Sequence, residues 1–421
     1  MIHGSKSAAY SIVPWTIVAL LFVATALSFL DRQILSFAII RIKDDIHLTD
    51  IDYSRINAAF IIGYAVMFTG SGIIIDKFGA RYGLGFSVLL WSVASALHSL
   101  ATRAFHFGAF RFLLGVGEGA AFPGAIKSVI EWIPLKKRAF ATGIAIGGAA
   151  IGAVIAPLLC LWLLNSAGWR IIFLITGGIG LLWTITWFVV SGKRNDKYRI
   201  HETSTGNIPY NQINNEKAFK FSSILGNRTV WIFICMRVLF DPILYFLMFW
   251  TPKFLNEYRN MSLDSINRYL WIPYLALGIS NIAGGFFSDI VFSRTSSLNL
   301  ARKSIMGVAA ILTVSVLSVP YITSAALIIT IISLFFFAHG LWITNYVTAI
   351  GDIFGKEIVS TVVGLSGTAG ALSGTLSSIV IGLVVTALSY DPLWIWAGII
   401  YPLTFIFMII FIPVIKRVTI T

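Results

Sequence analysis

The chain has 421 residues, of which 57% are hydrophobic and only 12% charged, and its mean hydropathy is +0.85. A soluble globular chain averages about 25% charged residues, so this composition excludes one and points to a polytopic membrane protein. The net charge of +13 is spread over several short segments instead of one basic domain, which excludes a nucleic-acid patch.

A helix needs roughly 20 mostly apolar residues to cross a bilayer. Such runs fall near 12–40, 54–75, 82–102, 105–130, 139–164, 169–191, 229–252, 266–290, 304–321, 324–349, 358–388 and 391–415. Unbroken apolar runs of this length are helices and not barrel strands. The expectation is an all-α integral membrane protein of twelve transmembrane helices. The first run is too long for a signal-peptide core and lacks a small-residue cleavage site, so it is expected to stay in the membrane.

Span one interrupts its apolar run with "LSFLDRQILSF". Each charge at the membrane centre costs roughly 2.5–3.5 kcal/mol, so Asp31 and Arg32 must face protein or water. Adjacent helical residues point about 100° apart, so each must find its own partner. The plainer alternative is an ion pair that links helix one to its neighbours. Span two ends in "GIIIDKFGAR", where Asp76 and Arg81 read as a gate. Asp76 is expected to meet a helix amino terminus or an arginine across the molecule, in a contact broken during alternating access.

In span four, Arg111 and Glu118 are seven residues apart and share a face. They read either as a clasp bracing the helix or as an anion holder and a proton carrier. Lys127, four residues before Glu131, reads as a surface pair or a snorkelling side chain. Spans five and eleven carry glycine at close intervals ("GIAIGGAAIGA" and "GLSGTAGALSG"), which lets helix backbones approach and slide.

The polar stretch 192–227 reads as a cytoplasmic linker dividing two halves, 1–191 and 228–421. In span seven, Arg237 and Asp241 are four apart and read as a self-contained pair beside Pro242. "GFFSDIVFSR" in span eight echoes the end of span two. Gly72 and Gly285, like Asp76 and Asp289, lie 213 residues apart, the mark of duplicated six-helix halves, and Asp289 is the gate counterpart of Asp76. In span ten, "FFFAHGLWITNY", His339 reads as a packing residue. Trp342 and Asn345 share a face that could stack on and hydrogen-bond a polyol, although asparagine also joins helices to one another. Cys160 and Cys235 offer neither a disulfide framework nor metal spacing. Most of the 31 Lys and Arg fall on the side of the amino terminus, which places both termini in the cytoplasm.

"GIIIDKFGAR" and the two-half layout resemble the major facilitator superfamily over the whole chain. "LDR", Tyr64 and "RFLLGVGEGAAFPGAIKSVIEWIP" resemble its anion:cation symporter branch. "RVLFDPILYFLMFWTPKFL", "LARK" and "AHGLWITNYVTAIGDIFGK" are similar to its bacterial hexuronate and aldonate transporters. The resemblance implies that Arg32 binds a substrate carboxylate, with Tyr64 and Arg111 nearby, and that Asp31 and Glu118 carry coupling protons. Span ten reads "HGLW" where the hexuronate pattern has His-Gln-Gly-Trp, and span five lacks that pattern's amides, which leaves the sugar acid open.

The expected function is proton-coupled uptake of a small organic anion, a hexuronate or aldonate, through a bacterial inner membrane. The alternative is an exchanger or uniporter of dicarboxylates or phosphate esters. The expected partners are the anion, protons and the bilayer, with no cofactor beyond the proton, no nucleic acid and a monomeric chain. An enzyme is not expected, because the sequence offers no nucleophile–base pair or metal ligands at membrane depth.

Overall fold

The structure is a computed structural model that describes residues 3–192, 221–261 and 269–418. The apolar runs form helices whose ends are set by local chemistry. Span one runs His3–Ile46, longer than expected at both ends. A capping box between Thr49 and Asp52 starts span two, Asp50–Phe78. Gly79, at φ 83°, turns the chain into span three, Ala80–Leu97. Span four is broken into Ala104–Glu118 and Ala121–Trp132, and spans five and six are Arg138–Ser166 and Trp169–Ser191.

Most of the expected linker 192–227 lies outside the described residues, but its end forms a short helix, Phe221–Gly226, with Ile224 buried. Asn227 caps span seven, Arg228–Lys253, through Thr229 N–H. Span eight is described as Trp271–Thr295, and span nine as Leu298–Thr313 followed by a tighter turn to Tyr321. A single run, Ala325–Ala387, breaks at Gly355, where φ is 66° and ψ is −171°. Only glycine adopts that conformation without strain. Eleven described helices are long and apolar enough to cross a membrane, and the Gly355 break divides one of them into spans ten and eleven. Span twelve is Asp391–Phe411. The twelve-helix, all-α expectation holds.

Both chain ends lie on one face, called here the termini face. Trp15 packs on Phe140, and Val418 N–H donates to Ile353. The halves are tied together from mid-membrane down to this face. Thr69 and Thr368 share a hydrogen bond of 2.8 Å, and Thr368 donates to the Ala65 carbonyl. Lower down, the duplicated glycines set how close the halves come. A Cβ on Gly72 would strike the Ser360 carbonyl, and one on Gly285 the Ala139 carbonyl.

Candidate functional site: a charged cluster between the halves

The separate partners demanded by the 100° spacing are present. Asp31, buried, accepts from Ser95 Oγ at 3.0 Å, and Ser95 lies 3.2 Å from Thr176 Oγ1. Arg32 turns the other way and gives Nε to Glu118 Oε2 at 2.6 Å, while Ser28 Oγ donates to the same oxygen at 2.9 Å. The Arg32 guanidinium lies 4.3 Å from the centre of the Tyr64 ring and 4.7 Å from that of Phe29. Tyr64 is itself fixed by stacking on Phe60.

Arg111 is buried, and its Nε and Nη2 have no hydrogen-bond partner. The clasp reading of Arg111 with Glu118 is not what forms, since the Glu118 bonds go to span one. Four ionisable groups, Asp31, Arg32, Arg111 and Glu118, therefore gather inside the first half with opposite charges matched. Arg32 keeps 21% of its side chain exposed, so the cluster opens toward the space between the halves. Sequence reasoning missed Ser28, Ser95 and Thr176, because small hydroxyl residues in apolar helices carry no pattern of their own.

The second half contributes Arg237, whose Nε is 2.7 Å from Asp241 Oδ2 in the expected i, i+4 pair. His339 is buried against the Tyr401 hydroxyl at 2.6 Å, a packing contact as expected. Trp342 and Asn345 correct the expectation of a shared substrate-facing surface. Both are fully buried, Trp342 among Phe240, Tyr401 and Phe405, and Asn345 donating to the carbonyls of Gly284 and Leu341. Their common face is turned into the half's own core and toward span eight, so neither lines the cleft.

At the termini face, Asp76 accepts from the backbone N–H groups of Ser360 and Thr361, just past the Gly355 break. Asp289 does the same with Ala139 and Phe140 at the start of span five. Each duplicated carboxylate thus grips the beginning of a helix from the opposite half. Arg81 does not join Asp76. It donates to the Phe188 carbonyl at 3.5 Å and lines a small cleft with Glu131 and Trp187. Lys127 also differs from expectation: instead of snorkelling it is buried against Asp76 at 2.8 Å. Arg302 joins Asp289 to Asp352, which also receives Arg138 across the halves. "LARK" and "GDIFGK" contained Arg302 and Asp352, but nothing in their spacing linked them.

The family model described as Major Facilitator Superfamily matches residues 21–378. The chain belongs to the major facilitator superfamily. Its members are membrane transporters and not enzymes, in keeping with a charged cluster that lies inside the first half and opens toward the second. A hexuronate transporter of Escherichia coli K12 is 27% identical over 387 residues, covering 90% of this chain and 89% of the relative. A probable sulfoacetate transporter of Cupriavidus necator is 30% identical over 373 residues, covering 87% and 86%. Among solved structures, the superfamily's proton:xylose symporter XylE bound to 6-bromo-6-deoxy-D-glucose superposes with a TM-score of 0.72, at 15% identity and with 96% and 97% of the two chains covered. That likeness shows the facilitator fold.

Proposed function

We propose that this chain is a proton-coupled symporter that takes up a sugar acid or similar small organic anion through a bacterial inner membrane, as a monomer with both termini cytoplasmic. The observation that carries the reading is the charge balance of Asp31, Arg32, Arg111 and Glu118. With both carboxyls ionised the four groups sum to zero. Protonating one of them leaves one guanidinium charge uncompensated in a low-dielectric interior, which is costly unless an anion arrives. Arg32 can receive it, because its bond to Glu118 uses Nε, its side chain stays partly exposed, and a guanidinium has five N–H donors. The loaded, neutral cluster can then be closed off from water. The Asp76 and Asp289 contacts release their backbone N–H groups, and the halves rock open at the termini face. The relatives named for hexuronate and sulfoacetate support an acidic substrate.

Uptake of galacturonate into proteoliposomes tests this. An imposed gradient, acidic outside, should drive accumulation with no anion inside. Arg32→Gln should weaken substrate binding by roughly 2–5 kcal/mol, as expected for truncating one partner of a charged hydrogen-bonded pair. Uptake that ignores the gradient and requires an internal counter-anion would make the protein an exchanger.

A further inference from the structure

Arg237 stands in the half opposite Arg32, yet the two are held alike. Each gives Nε to a carboxylate of its own half, at 2.6 Å for Arg32 and 2.7 Å for Arg237. Each guanidinium lies against aromatic faces; for Arg237 the centres of the Phe240 and Tyr346 rings are 5.7 and 5.8 Å away. Each stays partly open, with 17% of the Arg237 side chain exposed. Among the described residues, the Nε bond to Asp241 is the one hydrogen bond Arg237 makes, and its two terminal nitrogens are not sealed from solvent. Span eleven holds the pair from behind, since a Cβ on Gly370 would strike both Asp241 and Arg237. Phe68, whose ring centre is 5.1 Å from that of Tyr64 beneath Arg32, packs against Gly367 of span eleven, one turn before Gly370. The two arginines therefore border one space.

A guanidinium held through Nε leaves its outer edge, two parallel N–H donors, aimed away from its own carboxylate. That edge matches a carboxylate or sulfonate. We propose that Arg237 is a second anion-binding group, so that the site is built for a diacid, with one acidic end on Arg32 and the other on Arg237. This rests on the sugar-acid symport reading and narrows it. A ligand held at both ends also joins the halves, so that closure senses the second acid.

Calorimetric titration of the purified full-length protein with galactarate and galacturonate, which differ at one end only, tests the proposal. The wild type should bind galactarate at least about tenfold more tightly. The double variant Arg237→Gln/Asp241→Asn removes both charges and leaves no orphan. It should keep its galacturonate affinity, which also shows that it is folded, and bring the two ligands to within about threefold of each other. Absence of a galactarate preference in the wild type would overturn the proposal. So would its persistence in the double variant, or loss of galacturonate binding there, which would make the pair structural. A wild type that binds neither sugar acid would instead overturn the sugar-acid reading itself, and this proposal with it.

Discussion

The two carboxyls of the first half have unlike company. Glu118 is clamped by a guanidinium and a hydroxyl, whereas the direct partner of Asp31 is the Ser95 hydroxyl. A hydroxyl can donate to a carboxylate or accept from a carboxylic acid by rotating its hydrogen, so the Asp31 site tolerates both protonation states without moving a heavy atom. Glu118 cannot be protonated without weakening its hold on Arg32. In the proposed symport, Asp31 is therefore the group whose proton would come and go while the anion site stays assembled. Asp31→Asn should retain substrate exchange between equal pools while gradient-driven accumulation falls at least about tenfold, the effect of roughly 1.4 kcal/mol. Counterflow and pH-jump uptake measured on the same proteoliposomes separate the two activities. Undiminished accumulation would remove Asp31 from the coupling role. These acids were readable in the sequence because charge at membrane depth is expensive enough to require a reason. Trp342 and Asn345 misled because periodicity shows which residues share a face and not which neighbour that face meets.

The helices that meet at the termini face show the same asymmetry between what repeats and what does not. The common 213-residue spacing announced Asp76 with Asp289 and Gly72 with Gly285, and all four sit where the halves touch. Lys127 was invisible to that reasoning. Counting along span four finds its own-helix neighbour Glu131, but the carboxylate it meets arrives from span two. Its burial gives it a structural consequence. Breaking a buried pair by removing one partner costs about 3–5 kcal/mol, because the other charge is left uncompensated. Asp76 keeps its bonds to Ser360 and Thr361 N–H, so Lys127→Met should fall at the low end of that range. The loss should be spent locally, as faster hydrogen exchange over the segment 356–363. Adding Asp76→Asn should recover part of it by removing the orphan charge, although the gate would then lack its grip on span eleven. Exchange in that segment unchanged by Lys127→Met would show that the pair does not hold this face closed.

The twelve spans were readable from apolar length alone, because the bilayer imposes one dimension on every crossing helix. How the two six-helix halves meet was not, since it depends on side chains contributed by helices far apart in the chain. The closed end is built from such pairs: Arg138 with Asp352, Asp289 with the start of span five, and Thr69 with Thr368. The exposed edges of Arg32 and Arg237 lie away from it. In the proposed orientation, with the termini face cytoplasmic, this would be a carrier open to the outside, and delivery of a substrate would require the closed contacts to part. Thr69 and Thr368 offer a direct check, because they sit highest in the contact and their oxygens are 2.8 Å apart. A disulfide spans about 3.5–4.5 Å between Cβ atoms, near what that separation allows. Thr69→Cys with Thr368→Cys, built on Cys235→Ser to remove the exposed thiol, should form a cross-link on mild oxidation. Transport should then stop while binding from the outside persists, and a reductant should restore it. The cross-link holds one end of the molecule shut without touching the charged cluster, so loss of binding together with transport would mean that the site and the closed end are not mechanically separate. Transport that continued through the cross-link would mean that the halves do not part along spans two and eleven at all.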